Sequence, residues 1–155
     1  MLNKNDEQLL NAINWPTITC EINTGLQYGA GEYNGTDYDA DNKTALSRNN
    51  VNIVSMMELE KKGAEGSGII HEITEGYNLG HYSLKNEIDI PHYASEGYEE
   101  TKTIGYGNNT KIIKEFVPYY PDWYKIYSNE GHDKATKAPN EMTTKEARIY
   151  KSPSL

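Results

Sequence analysis

Apolar positions along this chain fall into short, separated runs, and their spacing predicts the elements. Leu9, Leu10 and Ile13 recur at helical spacing and predict a short helix over 4–14. Pro16-Thr-Ile-Thr-Cys-Glu-Ile22 alternates as a strand does, with Ile18, Cys20 and Ile22 on one face. Residues 25–50 are rich in Gly, Asn, Asp and Tyr and read as hairpins or loops. Val51-Asn-Ile-Val-Ser-Met56 is the clearest strand. A helix is expected over 64–78, with Ile69, Ile70, Ile73 and Tyr77 as a buried inward face. Residues 82–110 read as loop, broken at Pro91, Gly97, Gly105 and Gly107. A second helix is expected over 111–129, interrupted near Pro118 and Pro121 and dense in aromatics from Phe116 to Tyr127. Together these predict an α+β fold, a small mixed or antiparallel sheet packed on two helices. Residues 1–141 would form one domain and 142–155 a polar, partly disordered tail.

Composition narrows the partners. The chain has 155 residues, of which 36% are hydrophobic, so its core should be small, with 13 Tyr and 2 Trp supplying much of the buriable area. A net charge of -8 argues against nucleic acid or an anionic membrane as the main partner and favours a basic protein or a cationic substrate segment. Cys20 is the only cysteine, which excludes a disulfide framework and a cysteine-held metal. No window approaches the length of an apolar membrane span, and Met1-Leu-Asn-Lys-Asn-Asp-Glu7 has no signal-peptide core. The expected location is the cytoplasm of the producing cell, with any export left to a specialised secretion system.

The chemistry concentrates in Gly68-Ile-Ile-His-Glu-Ile-Thr-Glu-Gly-Tyr77. On a helix His71 and Glu75, four residues apart, project from one face and could grip one metal ion. Glu72 is rotated by about 100° and could reach a water at that ion without ligating it. This differs by one residue from the His-Glu-x-x-His pattern of hydrolytic zinc sites. A plain solvated helix face would also show such a motif, but flanking isoleucines suggest burial, where unpaired ionisable groups are costly. Gly63, Gly66 and Gly68, poor helix formers before the motif, suggest a close backbone approach. Catalytic zinc takes three protein ligands. Geometry offers His81, ten residues beyond His71 with Asn78 as a turn residue, as the third, and His132 as the other candidate. Any of Tyr119, Tyr120, Tyr124 or Tyr127 could stabilise an oxyanion, and Val51–Met56 would be the edge for an extended peptide. The acidic run Asp37-Tyr-Asp-Ala-Asp41 lacks the Gly and Glu of a calcium loop and reads as a plain turn.

Ile69-Ile-His-Glu-Ile-Thr-Glu-Gly-Tyr77 and Gly131-His-Asp-Lys-Ala135, with Pro139 and Glu141 beyond, resemble the two motifs of zincin-like metallopeptidases. The resemblance is strongest to toxin domains at the ends of bacterial Rhs and other polymorphic secreted proteins, and covers about residues 50–141. It implies a zincin-like fold and a Zn2+ held by His71, Glu75 and His132, with Glu72 as general base in peptide hydrolysis. It further implies an antibacterial secreted effector with a protein or peptide substrate and a cognate immunity protein. In place of the usual Ala the chain carries Gly76, and Gly131 where Ala is frequent. Two other functions stay open on the sequence: a non-catalytic acidic module that binds protein or acts in immunity, and another metal-dependent amide hydrolase.

Overall fold

The computed structural model describes residues 10, 12–25, 30–61 and 67–136. Three strands, β1 (Ile18–Gly25), β2 (Gly31–Asp39) and β3 (Thr44–Asn52), form a mixed sheet in the order β1-β3-β2. The central strand β3 runs parallel to β1 and antiparallel to β2. Helix α1 (Ile53–Lys61) follows β3 directly, and helix α2 (Ser67–Asn86) packs across all three strands. A hairpin of β4 (Gly97–Ile104) and β5 (Lys111–Pro118) leads to the short helix α3 (Pro121–Ile126) and a π-helical turn, Tyr127–His132. The architecture is α+β, as the residue pattern predicts. The tail beyond 136, Gly63, Gly66 and most of the expected helix 4–14 lie outside the described residues; residues 12–14 are helical.

One expectation over the sheet holds and three others are corrected, each for a local reason. Residues 25–50, read as hairpins or loops, carry the antiparallel β2–β3 hairpin, and the inward positions of β3 are Ala45, Ser47, Asn49 and Val51. Two polar residues on the buried face hide the alternation of burial. Val51–Met56 is divided: Val51 and Asn52 end β3, and α1 begins at Ile53. Asn52 Oδ1 accepts the N–H groups of Val54 and Ser55 at 3.0 and 3.3 Å, a cap that starts the helix. Being central, β3 has no free edge; β1 and β2 are the edges of this sheet. The span 82–110 contains the last turn of α2 and all of β4. The helix ends at Glu87, whose φ of 55° turns the chain so that Ile88 N–H returns to the Ser83 carbonyl.

The third correction concerns 111–129, where β5 replaces most of the expected helix. Lys111-Ile-Ile-Lys-Glu-Phe-Val is rich in residues that favour a pleated surface. Cross-strand ion pairs, Lys102 to Glu115 and Lys114 to Glu99, tie it to β4. The inward face of α2 also differs from expectation. Ile69 is exposed and Ile73 half-buried, while Thr74, Glu75, Gly76, Leu79, Gly80 and Ser83 are buried. Small residues let the helix lie close to the sheet: a Cβ on Gly80 would come within 2.7 Å of Ile18 Cγ2. Apolar packing is split between Tyr33, Leu79, Ile90 and Ala94 on one side and Ala12, Ile18 and Tyr77 on the other. Buried hydroxyls join β2 to β3: Tyr33 Oη lies 2.7 Å from Thr36 Oγ1, which lies 2.9 Å from Ser47 Oγ.

Candidate metal centre

The buried face of α2 carries the two residues of the sequence motif. His71 is 3% and Glu75 1% exposed, and His71 Nε2 lies 3.5 Å from Glu75 Oε2 across one helical turn. The π-helical turn delivers His132 from 57 residues further on, its Nδ1 2.9 Å from the same Glu75 oxygen. The rings of His71 and His132 meet edge to face at 4.9 Å. One ligand atom from each of the three lies within 4.8 Å of the others, so His71, Glu75 and His132 could hold a metal ion. The spacing fits such a use. Donors about 2.0–2.1 Å from one tetrahedral ion lie about 3.3 Å apart, and the 3.5 and 2.9 Å separations bracket that value.

His81 is not part of this group. Instead of turning at Asn78, α2 continues to Asn86, which carries His81 about 15 Å along the axis from His71. There it is exposed, beside the rings of Trp15 and Tyr77 at 6.2 and 6.3 Å. Cys20 stays outside the group too: it packs against Gly76, and burial pushes its thiol up to about 12. In the acidic run, Asp39 Oδ1 accepts the N–H groups of Asp41 and Asn42, and Asp37 pairs with Arg48 at 2.6 Å.

Placing His132 depends on backbone that no periodicity announces. In α-winding, residues five apart are about 140° out of phase. The wider π turn brings Tyr127 and His132 together, rings stacked at 5.6 Å and Tyr127 Oη 3.3 Å from His132 Nδ1. Gly131 makes this possible, since a Cβ there would fall 2.6 Å from Cγ of the fully buried Leu79.

Glu72, 6% exposed, lies against the central strand. Asn49 Nδ2 donates to its carboxylate at 2.9 Å and to its main-chain oxygen at 3.0 Å. Asn49 is therefore the supporting residue that sequence reasoning missed, because a lone Asn in a Ser-Arg-Asn-Asn run carries no signal. Gly31 is the other: a Cβ on it would sit 1.8 Å from Glu72 Oε1, so any side chain there would displace the carboxylate from its present position. Burial, with the charge of Glu75 adding, pushes Glu72 up to about 8 despite the Asn49 hydrogen bond. Glu75 goes the other way. Burial opposes its charge, but hydrogen bonds from His132 and His71 outweigh that and hold it below the usual carboxylate range. His132 is held above its ordinary value: burial works against its charge, and the hydrogen bond and charge of Glu75 more than compensate.

Compared with protein-family models, curated proteins and solved structures, the chain matches none of them. Among the described residues no helix is long and apolar enough to cross a membrane.

Proposed function

We propose that this chain is a zinc-dependent metallopeptidase of zincin-like design, with His71, Glu75 and His132 as ligands and Glu72 as general base. The observation that carries the reading is the convergence of His132 on the His71–Glu75 pair beside a buried, oriented Glu72. Two imidazoles and one carboxylate suit zinc, a borderline ion that accepts both donor types. When bound, zinc supplies Lewis acidity, making water acidic near neutrality and polarising a carbonyl. The positive charge would also lower Glu72 from its raised value, so that it is a carboxylate at pH 7. Glu72 then accepts a proton from the attacking water and passes it to the departing amine. Asn49 fixes the direction in which it does so. Of the four tyrosines considered for the oxyanion, Tyr127 is the one beside the centre. Burial and the charges of Glu75 and Glu72 push its hydroxyl well above the ordinary range, so it remains a neutral donor.

Elemental analysis of purified protein tests this directly. About one zinc per chain, lost in His71→Ala or His132→Ala, is the expected result; a chain that takes up no metal ends the proposal. Glu72→Gln should keep the metal and lose peptide hydrolysis, and undiminished turnover there would remove it as the base. Hydrolysis of small amides but not peptides would favour the broader metal-dependent amidase. The antibacterial effector role rests on the resemblance of the two motifs. It predicts toxicity on expression in a susceptible cell, abolished by the same Glu72→Gln change.

A further inference from the structure

A groove of about 420 Å³ runs from the start of β2 to the β4–β5 hairpin, a volume suited to a side chain or small ligand. Its inner end belongs to the candidate metal centre. Gly31, which makes room for Glu72, lines it, and so does Tyr127, which stacks on His132. Its outer walls carry Glu32 and Glu96 together with Phe116 and Tyr119. Among the described residues neither Glu32 nor Glu96 forms an ion pair, whereas Glu99 and Glu115 on the adjoining hairpin are matched by Lys114 and Lys102. Gly97 fixes the aromatic wall, because Phe116 lies so close over it that a Cβ would come within 2.4 Å of its ring. Two uncompensated carboxylates beside two partly exposed aromatic rings, Phe116 packed on Tyr124 and Tyr119 on Tyr98, make a receptor for a cation on a flexible apolar stem.

We propose that this groove binds a lysine or arginine side chain of a peptide substrate, next to the bond presented to the metal centre. The inference rests on the peptidase reading and adds the substrate class. The carboxylates would pair with the cationic head, the rings of Phe116 and Tyr119 would cover the stem, and the chain's net charge of -8 would speed encounter with basic segments.

The test uses two pools of blocked octapeptides, randomised over neutral residues at seven positions and carrying Arg or norleucine at the fourth. Retention by the Glu72→Gln chain is measured in excess zinc, and cleavage is mapped with the unaltered chain. The Arg pool should be retained at least about fivefold more than its neutral counterpart. Glu32→Gln/Glu96→Gln should remove that preference. Asp41→Asn/Glu87→Gln should keep it: this equal loss of charge lies roughly 25 Å away, in the turn after β2, where Glu87 pairs with Lys43. Equal retention of the pools, or a preference that survives Glu32→Gln/Glu96→Gln, overturns the groove whatever the cleavage result. Selective retention without cleavage supports the groove and removes the peptidase. Cleavage at one constant offset from Arg supports both.

Discussion

The Glu75 carboxylate is enclosed completely, and two imidazoles keep it ionised there. A metal would take over that role, and it must displace the proton that Glu75 now helps His132 to hold. Zinc affinity should therefore fall as the pH drops through the raised His132 value, by about tenfold per unit where one proton is displaced. Binding isotherms between pH 5.5 and 8 would show this, and a flat profile would remove His132 from the ligand set. Glu72 gives the opposite kind of pH effect in the metal-free chain. Its folded value of about 8 lies above the unfolded 4.5, so the folded state holds the proton more tightly. That contribution is complete below pH 4.5 and is lost as the pH rises to about 8. Metal-free protein should melt at a lower temperature at pH 9 than at pH 6. Glu72→Gln should flatten much of the slope, leaving the part due to the His132–Glu75 pair.

Two glycines at element scale make a contrast that substitution can read. Gly76 sits inside α2, and a Cβ there would meet Cys20 Sγ and Ser47 Oγ at an ordinary 3.4 Å. Gly76→Ala should thus stabilise the fold by about 0.5–1 kcal/mol, the helix-propensity gain, and leave metal content unchanged. Gly131→Ala should cost about 1–3 kcal/mol, because Leu79 has no room to move, and should weaken metal uptake by displacing His132. Chemical denaturation with metal analysis checks both; equal behaviour of the two variants would refute the packing account. Element identity followed the strength of the local signal. β1 was legible because Ile18, Cys20 and Ile22 alternate. β3 was legible only as part of a hairpin region, without its bounds or its buried face, because Ser47 and Asn49 face inward, where they bond Thr36 and Glu72. A burial pattern made of polar residues is invisible until their partners are known.

Across the whole molecule the candidate centre joins a helix laid on the sheet to a turn that follows the hairpin and α3. A ligand bound only by the folded chain stabilises it, by about 2.7 kcal/mol at a hundredfold excess over Kd. For a domain of this size, zinc should raise the melting temperature by roughly 5–10 °C. His71→Ala and His132→Ala should each cancel that shift. A shift that persists in both variants would place the metal elsewhere.

From residue types and spacing alone come the α+β class, the helix bearing His71, Glu72 and Glu75, and the two imidazoles competing for the third position. Those features are local, since four residues apart on a helix is one face in any surroundings. Tertiary structure placed His132, and not His81, beside His71 and Glu75, set Asn49 and Gly31 around Glu72, and made β3 a central strand. Each of these depends on contacts between segments distant in sequence, and the π turn that aims His132 exists only because Gly131 can rest against Leu79.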